Sequence, residues 1–329
     1  MSTPKGKASK RARRASPRLL EGLLPASLCC ALLVACFASL PSASRSFARG
    51  QGAQDEDEVV RVETDLVVLN VTVTDKEGKY VHKLPRADFR VFEDGREQKI
   101  STFSVEETPF AAALLLDISG SMEGRVSLAR SAAIRFLDGM RAEDTAAVYS
   151  FDSKVEQLQD FSPGRDLPPI AYGMKARGMT ALNDAILRAA RDLSTRPEKR
   201  RAIVVLSDGA DTFSNATSDK ALNAALAADT TIYAVDMSDP RTDVRARQMA
   251  SAALRNFAAK SGGRYVSTPG GQALASAFAS IVEELSNQYT IGYQSSNRER
   301  DGRWRTIEIN LARPEINART RKGYRAPKA

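Results

Sequence analysis

Cysteine is absent from most of this chain. Of 329 residues only Cys29, Cys30 and Cys36 are cysteine, and all three lie in one apolar stretch near the start. Thiol catalysis and cysteine-ligated zinc are therefore excluded from the remainder, and a thiol-free domain avoids mispairing in an oxidising compartment. Histidine is scarcer still: His82, between Val81 and Lys83, is the single one. A lone loop or strand-edge histidine reads as incidental, so triads and dyads that need an imidazole are excluded as well. No glycine-rich loop carrying the phosphate-binding lysine is present. Aromatics make up 6% of the chain, and the arginine-rich tail has no interleaved aromatics on which bases could stack.

Charge of one sign is also missing once its location is considered. The formal net charge is +8, but residues 1–50 hold nine Lys/Arg against Glu21 alone, which accounts for all of it. The other 39 bases balance 39 acids, so no basic footprint for nucleic acid remains.

The first fifty residues read as a targeting element. A basic stretch through Arg18 precedes the mainly apolar Gly22–Leu40, followed by the small residues Pro41-Ser42-Ala43-Ser44. This order is that of a bacterial export signal. An uncleaved anchor with its basic end inside is a second reading. A third is lipidation at Cys36, because Leu33-Val34-Ala35-Cys36 resembles a lipobox. All three place the chain outside the cytoplasm, in periplasm, envelope or medium, and confine membrane contact to this segment.

Residues 51–58 form an acidic linker. Alternating segments follow in 59–108: Leu66–Thr74, Phe89–Glu93 and Gln98–Val105, with Asp94-Gly95 as a hairpin signal. From 109 to 285 apolar strands alternate with helical periodicity. The strands are Ala112–Leu116, Thr145–Phe151, Ala202–Leu206, Thr231–Val235 and Arg264–Ser267. The helices are Val126–Met140, Leu182–Leu193, Asp219–Ala228, Val244–Lys260 and Gln272–Glu284. This alternation predicts an α/β fold, a doubly wound and mainly parallel sheet with helices on both faces. Strands return in 286–329 as Gln288–Gln294, Arg303–Leu311 and Arg319–Tyr324. Residues 298–329 carry ten bases and four acids, whereas 51–107 carry eight bases and fourteen acids. The opposite charges suit one β-sandwich-like module split by the α/β domain; two separate β appendages are the alternative. Trp304 is expected to cover the edge of the β module's core.

The chemistry-bearing segment is Leu114-Leu115-Leu116-Asp117-Ile118-Ser119-Gly120-Ser121-Met122. A buried strand stops on a carboxylate, and hydroxyls follow two and four residues later. This reads either as a strand followed by an Asp/Ser helix cap or as a hard-oxygen loop suited to a hard cation. Thr180, after Gly178-Met179, stands at a helix start and reads as a cap or as a third hydroxyl ligand. Asp208 ends a second apolar strand, Ile203–Ser207, at the same carboxyl edge, where ligands bind in open α/β sheets. Asp211 and Asp152 read as solvated loop carboxylates. Asn70-Val71-Thr72 and Asn215-Ala216-Thr217 match the short glycosylation acceptor pattern.

Asp117, Ser119, Ser121, Thr180 and Asp208 together resemble the metal-ion-dependent adhesion site of a von Willebrand factor type A domain. The similarity extends over about Pro109–Leu285 and includes the helix–Gly-Gly–strand entry Ala258–Tyr265. The flanks Gln288-Tyr289-Thr290-Ile291-Gly292-Tyr293 and Arg321-Lys322-Gly323-Tyr324 resemble those of exported bacterial "VWFA-related" proteins. The resemblance implies that the three hydroxyls touch the ion while Asp117 and Asp208 act largely through bound water. It implies Mg²⁺ in octahedral geometry, with Mn²⁺ or Ca²⁺ also accommodated. It further implies an open coordination position for an Asp or Glu of a protein partner. Non-enzymatic protein capture is the leading expectation. An envelope scaffold with a structural metal is the second, and a metal-dependent hydrolase the last, because no general base stands near.

Overall fold

The computed structural model describes residues 66–105, 108–209, 211–239, 241, 243–268 and 270–328, all within a compact unit spanning Arg61–Ala329. The targeting segment with its cysteines and the 51–58 linker lie outside the described residues. Among the described residues no helix is long and apolar enough to cross a membrane.

In chain order the elements are β1 (Leu66–Thr74), β2 (Phe89–Glu93), β3 (Arg96–Gln98), β4 (Ile100–Ser104), β5 (Phe110–Asp117), α1 (Val126–Asp138), β6 (Thr145–Phe151), β7 (Val155–Ser162), α2 (Leu182–Ser194), β8 (Arg200–Ser207), α3 (Ser218–Ala227), β9 (Thr230–Asp236), α4 (Val244–Ser261), β10 (Tyr265–Ser267), α5 (Gly271–Ser286), β11 (Tyr289–Gln294), β12 (Trp304–Leu311), β13 (Asn317–Arg319) and β14 (Gly323–Arg325). The α/β layer is a six-stranded sheet in the order β10-β9-β8-β5-β6-β7, parallel except for β7. All eight residues of the central β5 are buried. Successive side chains of a strand point to opposite faces, and here the two faces enter two cores. Ala112, Leu114 and Leu116 pack with α1 and α5, while Ala111, Ala113 and Leu115 pack with α2, α3 and α4. A continuous apolar run without alternation is what a sheet covered on both faces requires. Each fully buried leucine there contributes about 1.5–3 kcal/mol.

Strands from both ends of the chain share the two remaining sheets, β13-β1-β11-β4 and β14-β12-β2-β3. β1 runs antiparallel to β11, from Leu66 opposite Gln294 to Val71 opposite Tyr289. β12 runs antiparallel to β2. Between the sheets lies a third core that includes Leu69, Val71, Phe89, Val91, Tyr289, Ile291 and Ile307. Phe89 anchors it, with ring centroids 5.0 Å from Tyr289 and 5.3 Å from Phe103. Asp94 and Gly95 form the two-residue turn between β2 and β3 with φ of 48° and 78°, the left-handed pair that such a hairpin demands.

Two polar hubs join the sandwich to the α/β layer. Glu284 of α5 is buried, and its Oε1 accepts hydrogen bonds from Thr72 Oγ1 (3.1 Å), Tyr233 Oη (2.7 Å) and Arg319 Nη2 (2.5 Å). Arg200, fully buried at the start of β8, donates to the carbonyls of Thr108, Ser286 and Gln288 and to Thr290 Oγ1. It thereby ties both crossings of the chain between the layers.

Four features differ from the sequence reading. The segment expected as one strand over Gln98–Val105 is divided, because β3 and β4 belong to opposite sheets and the chain crosses the sandwich at Lys99. Arg319–Tyr324 is divided in the same way into β13 and β14. Between them Arg321 Nη1 bonds to Leu226 O and Asp229, and Lys322 N bonds to Lys260 O. β7 was not expected: none of its residues is fully buried, so it carries no apolar period. Trp304 does not cover the sandwich core. It packs against the α2–α3–α4 core of the α/β layer, beside Gly323.

Candidate metal centre at the carboxyl edge of the sheet

The register of the parallel strands builds this site. Leu116 of β5 lies opposite Leu206 of β8, so Asp117 and Ser207 emerge side by side where the strands end. Ser207 Oγ donates to Asp117 Oδ2 at 2.6 Å, and Ser119 N donates to Oδ1 at 2.8 Å. Asp117 is fully buried. Burial pushes its carboxyl up to about 6, against the lowering pull of the hydrogen bonds from Ser119 and Ser207, with the nearby charge of Asp208 adding to the rise. Ser119 is buried and Ser121 exposed, and their hydroxyls are 3.0 Å apart. The loop thus climbs from a buried carboxylate to a solvent-facing hydroxyl within five residues.

The second loop is stitched onto the first. Arg177 N donates to Ile118 O at 2.8 Å, and Gly120 N donates to Gly178 O at 3.1 Å. Thr180 follows and is buried. The start of α2 receives no side-chain cap, its flanking residue being Ala181, so Thr180 is not there as a helix cap. Its backbone instead holds the third loop: Thr212 N and Phe213 N donate to Thr180 O at 2.9 and 3.0 Å, and Thr180 N donates to Thr212 Oγ1 at 3.0 Å. Asp208 opens that third loop. Gly209 beside it has φ of +87°, and a Cβ there would sit 2.4 Å from Ala250 O. Only glycine lets α4 approach so closely.

The five expected residues therefore lie on three hydrogen-bonded loops at one edge of the sheet. Asp117, Ser119 and Ser121 form a single loop, and Thr180 and Asp208 enter on the loops beside it. Asp208 Oδ1 is buried and has no hydrogen-bond partner among the described residues. An unsatisfied buried carboxylate oxygen costs about 1–3 kcal/mol or more, and a cation or its bound water would satisfy it. Among the described residues no group of three or more His, Cys, Asp or Glu side chains is placed so as to hold a metal ion by itself. Any ion here would be held by two acids and three hydroxyls, a hard-oxygen set suited to Mg²⁺, Mn²⁺ or Ca²⁺.

The rim carboxylates are not solvated as expected. Asp152 is buried, pairs with Arg177 Nε at 3.0 Å and accepts Lys154 N at 2.9 Å. Asp211 accepts Asn183 Nδ2 at 2.7 Å and Ser214 Oγ at 2.6 Å. Both brace the loops. Ser207 was missed, although the pairing of the two apolar strands places it opposite Asp117. Asp236, at the end of β9, was also missed. Its carboxylate accepts from Ser238, Ser251 and Tyr265, so it is an anchor for α4 and β10. His82 lies exposed in the loop between β1 and β2.

These observations define an open α/β domain whose polar loops cluster at the carboxyl edge of a mainly parallel sheet, with a sandwich built from its flanks. Residues 112–210 match the family model of the von Willebrand factor type A domain. Among solved structures the chain is similar to the von Willebrand factor type A protein from Catenulispora acidiphila (14% identity, 74% of this chain and 74% of that one, TM-score 0.46). It is also similar to the vWF domain of the type V pili tip protein Mfa5 from Porphyromonas gingivalis (14% identity, 55% and 95%, TM-score 0.46). A third likeness is to the conserved hypothetical protein BatB from Bacteroides thetaiotaomicron (17% identity, 54% and 98%, TM-score 0.40). At such identities and TM-scores these likenesses bear on neither ligand nor partner. No curated protein matches the chain.

Proposed function

We infer that the three-loop crest is a metal-dependent adhesion site through which the protein, exported from the cytoplasm, captures an acidic group of a protein partner. The supporting observation is the orphaned, buried Oδ1 of Asp208 beside the buried carboxylate of Asp117. Two acids in one desolvated crest repel each other, and a divalent cation removes that repulsion. Ser119, Ser121 and Thr180 add neutral oxygens, so the bound Mg²⁺ keeps positive charge for a partner's Asp or Glu. Mn²⁺ and Ca²⁺ fit the same donors. The reading is non-enzymatic: none of the three loops carries a histidine, and the rim carboxylates Asp152 and Asp211 are engaged by donors.

The test is capture of partners from the source envelope fraction by the wild-type protein and Asp117→Ala, each in Mg²⁺ and in EDTA. Capture that needs both Mg²⁺ and Asp117 supports the reading. Capture that is unchanged in EDTA refutes it. A melting temperature that falls sharply in EDTA without any Mg²⁺-dependent capture would instead favour a structural metal in an envelope scaffold.

A further inference from the structure

A cavity separate from the crest lies where α4, β10 and α5 of the α/β layer meet β1 and β13 of the sandwich. It encloses about 510 Å³ and is lined by Arg255, Arg264, Arg319 and Glu284, with Tyr80 and Tyr265 as aromatic walls. Its charges do not cancel. Glu284 is committed to Arg319, Thr72 and Tyr233, which leaves Arg255 and Arg264. Neither makes an ion pair among the described residues. Arg255 stacks over the Tyr265 ring at 4.8 Å and reaches its hydroxyl at 3.5 Å. Arg264 is half-buried, and its Nε is buried without a hydrogen-bond partner.

A guanidinium held against protein with a donor unsatisfied is costly unless an acceptor arrives. Its planar fork matches an oxyanion with two acceptor atoms on one face. Tyr80 keeps its proton at all ordinary pH, because burial first and Glu284 second push its phenol up to about 12. It therefore adds no negative charge to repel such a ligand. The aromatic walls and the volume exceed what a bare inorganic ion fills, and they suit an apolar body joined to the anionic group.

We propose that this cavity is a binding site for a small aromatic or aliphatic oxyanion, held by Arg264 with Arg255 beside it. The site is separate from the crest loops and does not depend on a metal there.

Isothermal titration of the full-length protein in EDTA tests it, with phenyl phosphate and benzoate as separate probes. Saturable binding of at least one probe is expected, and the comparison tells a phosphate ester from a carboxylate. Arg264→Gln should weaken binding at least tenfold, while Asp117→Ala should leave it unchanged. Arg255 is exposed, so Arg255→Gln decides the matter if Arg264→Gln proves unstable; it should weaken binding at least threefold. No saturable binding of either probe would overturn the proposal, as would wild-type affinity in both arginine variants. Loss of binding in Asp117→Ala would relocate the anion to the crest and overturn it too.

Discussion

Removing the Glu284 carboxylate should destabilise the whole folded unit, because that one oxygen joins three elements. Oε1 accepts from β1 through Thr72, from β9 through Tyr233 and from β13 through Arg319. Breaking a buried ion pair by deleting one partner costs about 3–5 kcal/mol. The neutral hydrogen bonds from Thr72 and Tyr233 are worth about 1 kcal/mol each. The Arg319 side chain is 34% exposed, so water recovers part of its stranded charge. That places Glu284→Ala near the low end, a loss of about 3 kcal/mol against a typical total of about 5–15 kcal/mol. In urea, with a slope of about 3 kcal/mol/M, the midpoint falls by about 1 M. Pairing Glu284→Met with Arg319→Met removes both charges, so the double variant should lose at least about 1 kcal/mol less than the two singles combined. A single-variant loss under about 1 kcal/mol, or strict additivity of the pair, would refute the hub.

Three further outcomes follow from the same geometry. Ser207→Ala deletes the 2.6 Å hydrogen bond to Asp117; the metal-free protein should lose about 1–3 kcal/mol in urea unfolding, and a change under about 0.5 kcal/mol would show that the bond is not needed. Leu114→Ala, at a fully buried position in the middle of β5, should cost about 2–5 kcal/mol by the same assay; a smaller loss would mean that the face packed on α1 and α5 collapses into the space. Acid should weaken the fold partly through Glu198. Burial alone would raise its pKa, but hydrogen bonds from Arg196 and Thr145 outweigh it and hold the carboxyl below its ordinary value. Ionised Glu198 therefore stabilises above its unfolded pKa, and the gain is lost as pH falls through the lower folded value. Urea midpoints compared at pH 7 and pH 3 should show a smaller acid loss for Glu198→Gln than for wild type, and equal losses would contradict the sign.

The α/β layer was legible in the sequence because its strands are buried on both faces. Runs such as Leu114-Leu115-Leu116 need no partner to announce themselves, and the helices between them keep their periodicity. Carboxylates that end such runs stand out for the same reason, which is how Asp117 and Asp208 could be picked. Ser207 could not be, since its role comes from lying opposite Asp117, and register is a property of two strands. β7 was invisible because it lies at the sheet edge and none of its residues is fully buried. The splits at Lys99 and between Arg319 and Gly323 were hidden by unbroken β propensity, since a chain changing sheets keeps the same extended backbone. Trp304 was misplaced because nothing local says which of two cores a ring will meet.

The sandwich made from both flanks also sets how the molecule would carry force. A tether pulling at Leu66 draws β1 along its own axis. β11, continuous with α5, resists from its opposite end at Tyr289. The six residue pairs from Leu66–Gln294 to Val71–Tyr289 are then sheared together and do not open one after another like a zip. Tension that survives this ladder passes through Tyr289 into α5, the helix packed beneath the same face of β5 that leads to the crest. A load applied at Leu66 would thus reach the sheet edge that carries Asp117 along one helix.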